Sequence, residues 1–144
     1  MRTILAVLMC LAWCRIAYAQ QAIAPHPYPT LEGTIERLLF HGFIEGQGDK
    51  QMKRAGDGAA VALARAIGDR DLTATEIDES VYVLDVAFSD PSWIEDASNR
   101  EPRTSLFVLR YLDLCTQDQG LKGKIAETRR RLKELMVKTS GPGH

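Results

Sequence analysis

Apolar residues return every three or four positions along most of the chain between Leu31 and Val137, the period of a helix that turns one face to a core. The clearest case is LTATEIDESVYVLDVAF, residues 72–88, where Ile77, Val81, Leu84 and Phe88 form one stripe. Val83 and Val86 widen it, so more than one neighbour is needed to cover it. Thr73, followed three residues later by Glu76, is a capping box, in which each residue's side chain satisfies the other's backbone N–H. This helix is expected to be the central element of the fold.

The remaining elements follow from the same pattern. Thr30 can cap a helix over residues 31–41, with Leu31, Ile35, Leu38 and Leu39 on one side, before Gly42, Gly46 and Gly48 break it up. Asp49 reads as the cap of a second helix running to Ile67, with Met52, Ala55, Ala59, Leu63 and Ile67 as its stripe. Ala60, Ala62, Ala64 and Ala66 make it slender. Gly56 and Gly58 each cost about 1 kcal/mol against alanine inside a helix, so the helix can break near residues 55–58. Pro91 stops the central helix. Residues 92–100 are irregular, and Pro102 opens a helix to about residue 116 with Leu106, Val108, Tyr111, Leu112 and Cys115 inward. Asp118 to Gly120 reads as a turn. The last helix spans about residues 121–137, with Leu121, Ile125, Leu132, Leu135 and Met136 inward.

No segment alternates with period two between turn residues, so the fold class is all-α. The short links imply two antiparallel helical hairpins, HEAT-like or an irregular helical bundle, plus a short N-terminal helix. The run Gly58-Ala59-Ala60-Val61-Ala62-Leu63-Ala64-Arg65-Ala66-Ile67, the turn at Gly68-Asp69 and the capped helix after it resemble HEAT or armadillo-type helical repeats. A second pair, residues 102–116 and 121–137, would complete two repeats. That resemblance implies a scaffold for proteins or peptides, and it supplies no catalytic residues.

Composition adds an address. Arg2, the apolar run Ile4 to Trp13 and Ala17-Tyr18-Ala19 have the layout of a signal peptide cleaved between Ala19 and Gln20, too short to span a bilayer. The expected layout is therefore a signal peptide at 1–19, a proline-rich lead-in at 20–30, one helical domain at 31–138 and a tail at 139–144. The protein would be exported, periplasmic or secreted. Cys10 and Cys14 would leave with the signal and Cys115 would remain, which excludes an internal disulfide in the mature chain. Arg2 and Arg15 would leave too, moving the formal net charge from −1 to −3 (16 Lys and Arg against 19 Asp and Glu). No whole-protein field points to nucleic acid.

Candidate chemistry is sparse. Asp90, Ser92, Asp96, Ser98 and Glu101 match parts of a calcium-loop register, but Ile94, Glu95 and Pro91 occupy the positions that shape its turn. His41 and Glu45 stand four apart without a third metal ligand, and His26 and His144 lie in the lead-in and tail. Cys115, on an apolar stripe, reads as a buried small hydrophobe rather than a nucleophile. No phosphate loop, serine elbow or H-E-x-x-H is present. No cofactor or metal is expected.

Charge is segregated. Acidic residues outnumber basic ones twelve to four between Asp69 and Asp118, while the last helix carries Lys122, Lys124, Arg129, Arg130, Arg131, Lys133 and Lys138 against Glu127 and Glu134. This predicts either pairing across packed helices or a basic face for an anionic partner, with Glu127→Arg131 and Glu134→Lys138 support along the helix. The sequence thus points to an exported, non-enzymatic helical module that binds a protein or peptide in the cell envelope. Its expected surfaces are the Trp93 loop with Arg100 and Arg103, and the basic helix at Arg129, Arg130 and Arg131. The rivals are a pocket for a small apolar ligand or lipid beside the alanine-rich helix, and a small envelope enzyme using Asp85, Asp90 and Arg110.

Overall fold

The computed structural model of the chain describes residues 30–41, 46, 48–90 and 101–139. Among them are six helices and no strand: α1 (Leu31–His41), α2 (Asp49–Ala55), α3 (Asp57–Ile67), α4 (Ala74–Ala87), α5 (Arg103–Cys115) and α6 (Gln119–Thr139).

The starts and stops are local chemistry. Thr30 caps α1 by accepting the Gly33 N–H at 3.1 Å. The single helix expected over residues 49–67 is two, divided at Gly56, whose φ of 52° lies in the left-handed region; its N–H closes α2 on the Met52 carbonyl and the chain restarts as α3. Asp49 is the first residue of α2 rather than its cap. The capping position is Gly48, at φ 92°, and a Cβ there would stand 2.4 Å from Thr34 Cγ2. The freed Asp49 carboxylate instead accepts the Tyr82 hydroxyl at 3.0 Å and ties α2 to α4. The capping box of α4 is complete, with Glu76 N–H donating to Thr73 Oγ1 (3.2 Å) and Thr73 N–H to Glu76 Oε2 (2.6 Å).

The last helix begins earlier than its hydrophobic pattern indicates. Asp118 is its cap, accepting the Leu121 N–H at 2.9 Å, and Thr116 accepts the Asp118 N–H at 3.1 Å. Gln119 and Gly120, expected in a turn, are helical.

One core serves all six helices. Ile35, Met52, Ala59, Leu63, Ile77, Val83, Leu84, Leu109, Leu112, Ile125 and Leu132 are fully buried in a single cluster. The alanines do what their size permits: Ala59, Ala60 and Ala62 vanish into contacts of α3 with α1, α4 and α5. Helix α4 contacts each of the other five, so the expected central element is central.

On α5 the buried face is turned from the expected one. Ser105, Val108, Leu109 and Leu112 point inward, whereas Tyr111 and Cys115 are exposed. The cause is at its N-terminus. Pro102 occupies the capping position and has no side-chain oxygen, so the first N–H groups are satisfied by Asp57 of α3. The Asp57 carboxylate accepts Thr104 N–H (2.9 Å), Ser105 N–H (2.8 Å) and the Ser105 hydroxyl (2.8 Å). Ser105 is thereby locked inward, and 108, 109 and 112 follow on its face.

Candidate functional site

Two features of the surface could engage another molecule: a groove between α4 and α6, and the outer face of α5.

The groove measures about 580 Å³. Val81 and Tyr82 supply its α4 wall, with Asp78 and Asp85; Lys124, Glu127, Thr128 and Arg131 face them from α6. Ion pairs bridge it. Lys124 Nζ meets Asp78 at 2.6 Å, and Arg131 binds both the Asp85 carboxylate and, at 2.9 Å, the Asp85 carbonyl. Thr128 donates to the same carboxylate at 3.3 Å. The Nε of Arg131 is buried with no hydrogen-bond partner among the described residues.

These contacts account for part of the charge segregation. Lys122, Lys124 and Arg131 pair with Asp113 of α5 and with Asp78 and Asp85 of α4. The expected Glu127→Arg131 and Glu134→Lys138 pairs are replaced by another arrangement. Arg130 sits between Glu127 (Nε to Oε2 3.0 Å) and Glu134, because Arg131 is turned to Asp85. Glu127 raises the Arg130 guanidinium above its ordinary value, and Arg130 lowers Glu127. The three adjacent arginines thus face three ways: Arg130 outward and paired, Arg131 into the groove, and Arg129 toward the α5 side. Arg129, Lys133 and Lys138 have no ion pair among the described residues.

The second feature is the outer face of α5. Phe107, Tyr111 and Leu114 recur at helical spacing, so all three project from one side. Phe107 and Leu114 are each 74% exposed and Tyr111 is 39% exposed. Single exposed hydrophobes are ordinary on a protein surface; here three share one helix face and form a patch. Its two edges differ in charge. On the edge toward α6 stand Arg110, which is exposed and without an ion pair among the described residues, and Arg103, which is held by Glu101 at 2.6 Å. Arg129 lies two helical turns beyond Lys122 on the same side of α6, and Lys122 reaches α5 through Asp113, so Arg129 extends that basic edge. On the edge toward α3 lie Asp69 and Asp71, both exposed. The Tyr111 phenol is raised by its hydrogen bond with Cys115 and further by the charges of Asp69 and Asp71.

The expected contact residues are distributed accordingly. Arg103 and Arg129 fall beside the α5 stripe, Arg130 and Arg131 do not, and Trp93 and Arg100 lie outside the described residues. Most of the calcium-register loop, Glu45, His26 and His144 lie outside them too. No group of three metal-ligating side chains occurs among the described residues. Asp85 is committed to Arg131 and Thr128 in the groove, away from Arg110 on the outer face of α5. Cys115, expected to be buried, is exposed and free. No helix among the described residues is long and apolar enough to cross a membrane.

Sequence reading passed over the α5 stripe because the helix carries two apolar series. The expected stripe mixed them, taking Val108 and Leu112 from one and Tyr111 from the other. The signal was present: Phe107 and Leu114 cannot share a face with Leu109. No family model, curated protein or solved structure matches the chain. None of these comparisons lends support to the helical-repeat resemblance.

Proposed function

We propose that the chain is an exported helical module that binds another polypeptide and carries no catalytic machinery of its own, with the outer face of α5 as its contact surface. The observation that carries this reading is the stripe Phe107, Tyr111 and Leu114, apolar and exposed beside Arg103, Arg110 and Arg129. An exposed aromatic-aliphatic stripe with a charged rim has the anatomy of a protein interface. A helix face of this kind is a natural partner for a second helix. The α4–α6 groove favours a small apolar ligand less, since ion pairs cross it.

A photo-crosslinking amino acid placed at residue 107 or 114 in the host tests this. We expect a polypeptide adduct at both positions and none at Ala126, an exposed position on α6. Adducts at 126 alone, or none at any of the three, would overturn it.

A further inference from the structure

From the charge arrangement around the α5 stripe we infer that its occupant is a second copy of this chain, paired about a two-fold axis running along α5. The inference rests on the reading of that face as a contact surface, and it goes further by naming the partner.

The argument is one of self-complementarity. A two-fold axis parallel to a helix brings each residue on the central line against its own copy, and brings one edge of the helix against the opposite edge of the partner. On the central line are Phe107 and Leu114, the two most exposed apolar side chains of the helix. Each would meet its equivalent across the axis and lose contact with water. The edges have opposite sign: Arg110 on one, Asp69 and Asp71 on the other. The two-fold places Arg110 of each copy over Tyr111 of its partner, with the partner's Asp69 and Asp71 behind the ring. A guanidinium over an aromatic face, backed by carboxylates, is a favourable contact and occurs twice. An antiparallel pairing would instead place Arg110 against its own copy, a like-charge contact. The parallel two-fold is therefore the arrangement that the charges select.

Sedimentation equilibrium on the chain as recovered from its host, at tens of micromolar, tests the pairing. A mass twice that of the monomer is expected. Leu114→Glu and Phe107→Glu should each give a monomer with unchanged helical circular dichroism, because neither side chain belongs to the core. Arg110→Asp should weaken the dimer by about tenfold, and combining it with Asp69→Arg and Asp71→Arg should restore it. The orientation is read by crosslinking: with Cys115→Ser as background, Phe107→Cys and Leu114→Cys should each form a disulfide-linked dimer, since a parallel axis brings both positions against their copies and an antiparallel one can do so for at most one of them. A monomeric parent chain, or a dimer that survives Leu114→Glu, overturns the proposal. A monomer that still crosslinks to a different polypeptide at residue 107 in the host sinks the self-pairing and leaves the contact surface standing. A chain without any adduct there loses both.

Discussion

At the scale of single residues, Asp57 does the most for the least length. It is a buried carboxylate on α3 that serves as the cap of α5, a helix starting 46 positions later in the chain. Capping normally comes from the residue just before a helix, and here that residue is Pro102, which cannot supply it. Asp57→Ala would leave two backbone N–H groups and the Ser105 hydroxyl without partners in a buried site, a loss on the order of 3 kcal/mol. Urea unfolding measures it, and a loss below about 1 kcal/mol would show the cap to be dispensable. Two neighbouring carboxylates on α4 respond to pH in opposite senses. Glu76 is lowered from its ordinary value of 4.5, first by the Thr73 N–H. Its contribution is present above 4.5 and is lost as the pH falls through its lowered value. Glu79 is raised, chiefly by burial and then by Glu76 and Asp78, and its Oε2 is buried without a partner among the described residues. Its ionised form opposes folding at neutral pH, and protonation relieves that as the pH falls through the raised value toward 4.5. Glu79→Gln should therefore raise the melting temperature at pH 7 and leave it nearly unchanged near pH 4. An equal effect at both would mean that charge is not the cause.

At the scale of elements, caps and breaks decide where helices lie and neighbours decide which way they face. Thr73→Ala removes one half of the capping box and should cost about 1 kcal/mol, measured by thermal unfolding. The box was legible in the sequence because capping is a rule over four consecutive residues, and the stripe Ile77, Val81, Leu84 and Phe88 because its members recur at i, i+4, i+7 and i+11. All four are buried. The break at Gly56 was legible for a similar local reason. The facing of α5 was not, because a residue far away in sequence, Asp57, chooses between its two apolar series. For the same reason Cys115 came out on the surface. That outcome is testable by thiol reactivity: Ellman's reagent should modify Cys115 fully in the folded protein, without denaturant, and slow modification paced by unfolding would contradict its exposure. The outer stripe of α5 was not legible for the same reason, since an outward stripe exists only once the inward one has been assigned. Arg103, expected to act with the Trp93 loop, lies on the same outer side of α5 as an apolar stripe that charge counting does not see.

At the scale of the whole molecule, the question is whether the two helical hairpins are separable. In a solenoid each repeat leans only on its neighbours, and parts can melt independently. Here α4 touches all five other helices, and the buried side chains of all six form one cluster. Cross-links of other kinds run between the same elements: Asp57 joins α3 to α5, Tyr82 joins α4 to α2, and Arg131 joins α6 to α4. A chain built this way should unfold in one step. Leu84, fully buried on α4, is the place to test it. Leu84→Ala should cost about 2–5 kcal/mol, and it should lower the transition of the whole domain rather than of one hairpin. Near-ultraviolet dichroism reports the fixed packing of the aromatic side chains, among them Tyr82 on α4, while the far-ultraviolet signal reports all helices together. Coincident midpoints by both probes, in the parent chain and in the variant, are the expected result. If the helical signal splits into two steps, with residues 103–139 melting apart from residues 31–87, the contacts of α4 and the Asp57 cap would not couple the halves, and the stacked-repeat architecture would be the better description.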